Sequence, residues 1–133
     1  MGFMLDTSAC VDLIRNQDAR ILRRMKRRRP DELCVSSVTL SELEYGAAKS
    51  ANPEKNRLAL AEFMTPLDVL PYDDTVAPVY GRVRAALEKG GTPIGPLDTM
   101  IAAHALSLDL TVVTDNEREF RRVSGLKVQN WAK

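Results

Sequence analysis

Short apolar runs alternate with helical patterns along this chain, and this alternation constrains the fold more than any other feature. The runs lie at residues 2–5, 33–38, 67–70, 110–114 and 126–129. Between them apolar residues recur at intervals of three and four, as they do in amphipathic helices. Ser8 is the expected N-cap of the first helix. The alternation predicts an α/β fold, a three-layer α/β/α sandwich around a parallel sheet of four to five strands.

Length and composition indicate one ordinary globular domain. The chain has 133 residues and contains neither a repeat nor a linker, so we expect a single domain over residues 1–133. The net charge is only +1, so any attraction to nucleic acid must come from a local patch. No apolar run is long enough to cross a membrane. The two cysteines lack CxxC spacing, which favours buried, reduced thiols and a cytoplasmic location.

Four acidic residues adjoin these predicted elements. Asp6 and Asp115 directly follow predicted strands, and Glu42 and Asp98 lie in the first turns of predicted helices. Because the carboxyl ends of parallel strands meet at one edge of a sheet, we expect the four carboxylates to converge there. Such a cluster repels itself unless a cation neutralises it. Hard oxygen ligands suit Mg²⁺ or Mn²⁺, so the pattern predicts a divalent metal site and phosphate chemistry.

Each acid also has a structural interpretation. Glu42 completes a capping box with Thr39. Asp98 would complement a helix dipole, and Asp115 is a suitable N-cap for the short helix after it. Asp6 is the hardest to explain in this way, because a lone buried carboxylate after an apolar strand is costly.

Four segments resemble the PIN-domain ribonuclease toxins, most closely the VapC toxins of VapBC toxin–antitoxin modules. They are FMLDTS at 3–8, SSVTLSELEYGA at 36–47, GTPIGPLDTMIAAHA at 91–105 and VTDNEREF at 113–120. The resemblance continues in the same order to Trp131. It implies a Mg²⁺- or Mn²⁺-dependent endoribonuclease toxin that cleaves RNA, tRNA in particular, and inhibits translation. It also implies a homodimer that a VapB-type antitoxin neutralises.

The resemblance also implies which residues act. The catalytic and metal-binding residues would be those at the matching acidic positions: Asp6, Glu42, Asp98 and Asp115. The fourth acidic position is the least fixed in the family, so Asp115, Asn116 and Glu119 all remain candidates to complete the site. Thr7 and Thr114 lie where their hydroxyls would support the carboxylates.

The basic residues have two interpretations. Seven of them fall between residues 20 and 29, which is consistent either with a solvated helix face or with a patch that follows an RNA backbone. Aromatic residues are few, which favours a folded RNA recognised by shape over base stacking. The candidate RNA contacts are Arg27, Arg28, Arg29, Arg118 and Arg121.

Two other functions fit parts of the pattern. A phosphoacceptor receiver domain is also doubly wound with an acidic pocket, but it needs a lysine where this chain has Asp115. An RNA-binding protein that inhibits translation without efficient cleavage is the second alternative. The single histidine, His104, lies on an apolar helix face and is expected to be packed and hydrogen-bonded rather than a metal ligand.

Overall fold

A five-stranded parallel sheet forms the centre of the molecule. The computed structural model describes residues 2–133. Its strands are β1 Phe3–Leu5, β2 Leu33–Ser36, β3 Asp68–Leu70, β4 Thr111–Val113 and β5 Lys127–Gln129. They lie in the order β3-β2-β1-β4-β5, and every neighbouring pair is parallel. The predicted parallel sheet is therefore confirmed.

Helices connect the strands and cover both faces of the sheet. Within residues 2–133 they are α1 Thr7–Asn16, α2 Ala19–Lys26, α3 Ser37–Ala48, α4 Pro53–Met64, α5 Ala77–Lys89, α6 Pro96–Ser107 and α7 Glu117–Phe120. A 3₁₀ turn at Pro30–Glu32 precedes β2. Two separate hydrophobic clusters result, one containing Met4 and Phe120 and the other Leu5 and Trp131. Because Met4 and Leu5 are adjacent in one strand and both fully buried, the sheet has a packed layer on each side.

The strand order excludes the receiver-domain alternative. Receiver domains of the CheY type have the order 2-1-3-4-5. Here β1 pairs with both β2 and β4, and β3 lies at one edge beyond β2. The point at which the order reverses lies beside β1, so ligands are expected at its carboxyl end, where Asp6 follows Leu5.

Two helix starts differ from the sequence prediction. Helix α1 is capped by Asp6, whose side chain accepts the Ala9 N–H, and not by Ser8. Helix α3 begins at Ser37, and Ser36 caps it by accepting the Val38 N–H at 3.1 Å. In both cases the capping residue ends a strand and turns directly into the helix, a step that apolar periodicity does not reveal.

The cysteines and the hydropathy agree with the sequence predictions. Cys10 and Cys34 are free and buried, and burial raises the pKa of both thiols. Over residues 2–133, no helix combines the length and the apolar character that a membrane crossing requires.

Candidate active site

Asp6 lies at the centre of the predicted acidic edge. Its backbone N–H continues the sheet by donating to the Val113 carbonyl at 3.0 Å. Its carboxylate accepts hydrogen bonds from the Ala9 N–H at 2.9 Å, the Ser8 hydroxyl at 2.9 Å and the Thr114 hydroxyl at 2.6 Å. Thr114 therefore supports this carboxylate as predicted. Ser8, expected to cap the helix, instead holds the residue that does.

The burial of Asp6 makes its charge costly. The side chain is 1% exposed. Burial raises the pKa of Asp6 to about 7, although its hydrogen bonds to Thr114, Ala9 and Ser8 favour the charged form, and the charge of Asp98 raises the pKa further. A folded protein that keeps such a carboxylate beside a second acid needs a compensating positive charge when both are ionised.

Glu42 faces the same edge from α3. Its Oε1 accepts a hydrogen bond from the Thr7 hydroxyl at 2.5 Å, which links α3 to the first residue of α1. The capping-box interpretation of Thr39 and Glu42 is wrong, because Ser36 caps the helix and Glu42 lies in its second turn. Thr7 thus contacts one of the carboxylates that it was expected to support.

Asp98, in the first turn of α6, is the third acid at this edge. Burial, followed by the charges of Glu42 and Glu119, raises the pKa of Asp98 to about 6. The charge of Asp98 in turn raises the pKa of Asp6. Asp6, Glu42, Asp98 and Glu119 therefore interact electrostatically, and we call these four residues the acidic cluster.

Asp115 has a different neighbour. It is exposed and lies beside Asp12 of α1, a residue that the sequence analysis did not single out. A hydrogen bond with the Asp115 carboxylate, and then burial, raises the pKa of Asp12 to about 6. The N-cap interpretation of Asp115 is wrong, since Asn116 occupies the N-cap position of α7. The Asn116 N–H donates instead to the Thr114 hydroxyl at 2.8 Å, so Asn116 supports the site through Thr114.

The acidic cluster carries donors suited to a hard divalent cation. Among residues 2–133, no lysine or arginine forms an ion pair with any of its members. In the same part of the chain no three Asp, Glu, His or Cys side chains are close enough together to hold one ion. The oxygen donors, the raised pKa values and the lack of a paired cation together fit Mg²⁺ or Mn²⁺.

His104 is a packed core residue, as predicted. It is 1% exposed, and its Nδ1 lies 2.8 Å from the Ser36 hydroxyl. The Tyr72 ring meets it edge-on at 5.5 Å between ring centroids. Burial lowers the pKa of His104, which favours the neutral ring.

The five arginines predicted to contact RNA have different surroundings in the structure. Arg28 stacks over Phe3, with its guanidinium 4.6 Å from the ring centroid. Arg29 forms an ion pair with Asp31, and Arg121 forms one with Glu117. Arg27 and Arg118 are exposed. Arg28 therefore packs against the core, which the charge run alone did not indicate.

An apolar groove begins beside Glu42. It runs between α1, α3 and α4, and we call it the α1–α3–α4 groove. Its lining residues are Thr7, Val11, Ile14, Arg15, Glu42, Leu43, Gly46, Ala47, Asn56 and Leu60. At Gly46 a side chain would meet no atom within 4 Å, so the groove is open there.

Comparison with known proteins agrees with this geometry. The family profile described as PIN domain matches residues 3–126. The chain belongs to the PIN-domain family. It is also 46% identical over 132 residues to the tRNA(fMet)-specific endonuclease VapC of Shigella flexneri, a match that covers 99% of both chains. A comparable relative is the tRNA(fMet)-specific endonuclease VapC of Salmonella typhimurium, 46% identical over 131 residues. Within the PIN-domain family the chain is therefore a VapC-type ribonuclease.

Solved structures confirm the PIN-domain fold. A chain of DNA-bound VapBC from Salmonella typhimurium superimposes with a TM-score of 0.94 at 45% identity, covering 98% of both chains. A chain of VapBC2 from Rickettsia felis, bound to a promoter DNA fragment, has the same TM-score of 0.94 at 33% identity and covers 98% of this chain and 99% of its own. PIN-domain ribonucleases generally depend on a divalent metal ion, which agrees with the chemistry of the acidic cluster.

Proposed function

We propose that this VapC-type ribonuclease is a toxin that cleaves tRNA internally and thereby inhibits translation. The observation that carries the proposal is the electrostatic interaction at the carboxyl edge of the sheet, where the charge of Asp98 raises the pKa of Asp6 and the charge of Glu42 raises the pKa of Asp98. The specificity for tRNA follows the relatives, two of which are named tRNA(fMet)-specific endonucleases. Residues 1–133 would act as one domain.

The residues of the cluster have distinct parts in this proposal. Asp6 and Asp98 would hold a Mg²⁺ or Mn²⁺ ion, since burial raises the pKa of both and makes their charges costly unless neutralised. When bound, such an ion supplies an activated water and stabilises charge on the scissile phosphate. Glu42 would orient that water, because the Thr7 hydroxyl fixes one of its oxygens.

The decisive experiment incubates purified protein with tRNA in the presence and absence of Mg²⁺ or Mn²⁺ and sequences the RNA ends. We expect internal cuts that leave a 5′-phosphate and a 3′-hydroxyl, because water is the nucleophile and the 2′-hydroxyl is not used. Binding without any cut under either ion would instead support the alternative, an RNA-binding inhibitor of translation without efficient cleavage.

We propose that Glu119, rather than Asp115, completes the acidic cluster. The charge of Glu119 raises the pKa of Asp98, whereas Asp115 is exposed and shares a hydrogen bond with Asp12. Changing Glu119 to Gln should therefore lower the cleavage rate by about 10-fold or more, since it removes a charge that faces the ion. Asp115→Asn should lower it by less. Rates measured on the same tRNA with both single variants compare the two positions, and a larger loss for Asp115→Asn would contradict the assignment.

We also propose that an antitoxin of the VapB type binds this chain. The structural relatives are described as VapBC assemblies. The α1–α3–α4 groove is mostly apolar and ends at Glu42, so an amphipathic segment lying in it would bring its end to the acidic cluster. An arginine on that segment would pair with the carboxylates and compete with the metal ion. We further expect a homodimer and a cytoplasmic location, as the resemblance to VapC toxins implies.

Filling the groove tests this partner. Gly46→Gln places a side chain in open space on the inner wall of the groove, so it should block the antitoxin without disturbing the helix. The replacement of a mid-helix glycine should even stabilise α3 by a few tenths of a kcal/mol. Co-purification with a co-expressed VapB-type antitoxin is expected to fall at least about 10-fold, equivalent to 1.4 kcal/mol.

Gly81 provides the matched control, because it also lies within a helix, α5, and also has open space at the Cβ position. Gly81→Gln should co-purify with the antitoxin as wild type does. Equal retention of the antitoxin by both variants would place the partner elsewhere.

A further inference from the structure

The charge of this chain is divided very unevenly. Seven of its 19 lysines and arginines lie between residues 20 and 29, a segment without any acid. The rest of the chain therefore carries twelve basic side chains against 18 acidic ones, a net charge of −6. A near-neutral protein thus concentrates its positive charge on α2 and the residues that follow it. Such a concentration has a local field that the net charge hides.

The structure arranges part of this segment around a depression. Its lining residues are Arg20, Arg23, Arg24, Arg27, Trp131 and Lys133, and its volume is about 340 Å³. On the other side of α2, Ile21 is buried in the core. The helix therefore packs through its apolar side and turns a row of guanidinium groups outward.

Only some of these cations already form an ion pair within the protein. Arg20 pairs with Asp18 at 3.4 Å, and Lys133 pairs with Glu117. Within residues 2–133, Arg23, Arg24 and Arg27 take part in no ion pair. We call these three residues the arginine triad. Three like charges on one helix turn repel one another, so an anion that binds between them relieves an unfavourable interaction.

The floor of the depression indicates which part of an RNA would fit. Trp131 is 1% exposed, so it offers no ring face on which a base could stack. Guanidinium groups around a wall without an accessible aromatic face are suited to phosphate oxygens, which they bind with two parallel hydrogen bonds. The chemistry therefore favours the sugar–phosphate backbone over the bases, and a contact that does not depend on sequence.

Helix α7 connects this depression to the acidic cluster. Its first residue, Glu117, forms an ion pair with Lys133 at the depression. Its third residue, Glu119, lies near enough to Asp98 for its charge to raise the pKa of that carboxyl group. Two helical residues advance only about 3 Å along the axis, so the two sites lie on either side of one short helix. A folded RNA is wide enough to contact both at once.

We propose that the arginine triad is a docking site for the phosphodiester backbone of a folded RNA, outside the acidic cluster where the cut occurs. The inference rests on the proposed function for the identity of the RNA. A helical part of the RNA would be held beside α7, while a separate, flexible part of the same RNA enters the acidic cluster. The triad would then raise the affinity for intact tRNA more than the affinity for short fragments, which cannot contact both sites at once.

The test measures the binding of mixed bacterial tRNA over a range of salt concentrations, in an Asp6→Asn background that prevents cutting. The dock variant carries Arg23→Gln, Arg24→Gln and Arg27→Gln. Its slope of log affinity against log salt should become shallower by about 2, since each lost phosphate contact removes 0.7–0.9. Trp131 is the only tryptophan, so its emission should shift when tRNA binds the parent protein and stay constant in the dock variant.

The matched control removes three exposed charges elsewhere, with Lys55→Gln, Arg82→Gln and Lys89→Gln. It should keep the parent salt slope. A hexanucleotide, too short to reach both sites, should lose much less affinity than intact tRNA when the triad is replaced. Thermal unfolding of each variant identifies any loss of fold, and single substitutions at the three positions then replace the triple variant.

The possible results separate the inference from the proposed function. If tRNA is cut by wild type but the dock variant keeps the full salt slope, the dock is overturned and the nuclease stands. If the dock variant loses tRNA binding but wild type cuts no RNA, the dock stands and the nuclease fails. If the dock variant binds tRNA normally and loses only the antitoxin, the triad is a protein contact and the inference is wrong.

Discussion

Replacing Asp6 with asparagine is expected to lower the rate of RNA cleavage by about 10³-fold while the protein remains folded, because a bound metal ion contributes several kcal/mol of charge stabilisation. The amide oxygen of asparagine can still accept the Ala9 N–H and so cap α1. What is lost is the negative charge that Asp6 presents beside Asp98. The measurement is single-turnover cleavage of tRNA, with thermal unfolding as the check on folding.

Asp68 offers a matched control for this substitution. It lies at the start of the edge strand β3 and is exposed, so Asp68→Asn makes the same chemical change away from the acidic cluster. The control should cleave tRNA at the wild-type rate. Full activity of Asp6→Asn would remove the metal-dependent mechanism, since Asp6 is the most buried of the acids to which the site is assigned.

The second large effect concerns stability and pH. The pKa of Asp6 is about 7 in the folded protein and ordinarily 3.8, so the folded state holds the proton more tightly. The resulting stabilisation is fully present below pH 4 and is lost as the pH rises through 7. A shift of this size corresponds to a loss on the order of 4 kcal/mol in the metal-free protein. Asp98, with a pKa raised to about 6, acts in the same direction.

Other carboxylates with lowered pKa values, such as Glu117, act in the opposite direction and must be separated from this effect. The measured quantity is therefore the difference in unfolding free energy between wild type and Asp6→Asn, followed in the presence of a chelator. That difference should move in favour of Asp6→Asn as the pH rises from 4 to 8. Added Mg²⁺ or Mn²⁺ should stabilise wild type at the upper end and have less effect on the variant. A pH-independent difference would show that Asp6 ionises without cost.

The acidic cluster also explains why the neighbouring threonines matter. The hydroxyls of Thr7 and Thr114 donate to Glu42 and Asp6, so each fixes the orientation of a carboxylate that has no ionic partner among residues 2–133. An oriented carboxylate needs less reorganisation when a cation arrives. The same hydroxyls cannot neutralise the charge, and this is consistent with the raised pKa of Asp6.

Local patterns were sufficient to predict the elements, and they placed Asp6, Glu42 and Asp98 at or near the element ends from which they interact in the structure. The apolar runs predict all five strands, because buried parallel strands are apolar on both faces. Asp6 was recognisable because it follows such a run. Helix starts were less predictable: Asp6 and Ser36 cap α1 and α3, but apolar periodicity pointed to Ser8 and Thr39. A cap depends on backbone direction at the strand end, which the side-chain pattern does not encode.

The fourth acidic position shows where the sequence was insufficient. The resemblance to VapC toxins assigned this position to Asp115 and left Asn116 and Glu119 as alternatives. In the structure the charge of Glu119 raises the pKa of Asp98, and Asp115 shares a hydrogen bond with Asp12. Helix α7 begins at Glu117, so Glu119 lies within the helix whereas Asp115 precedes it.

By itself the sequence determined the parallel α/β fold, the PIN-domain resemblance and the edge of the sheet at which acids collect, because all three follow from residue types at fixed positions along the chain. The tertiary structure alone decided which carboxylates share a field, which arginines remain unpaired and which pack on aromatic rings. Those outcomes depend on distances between residues far apart in the chain, and on the burial that sets the cost of each charge.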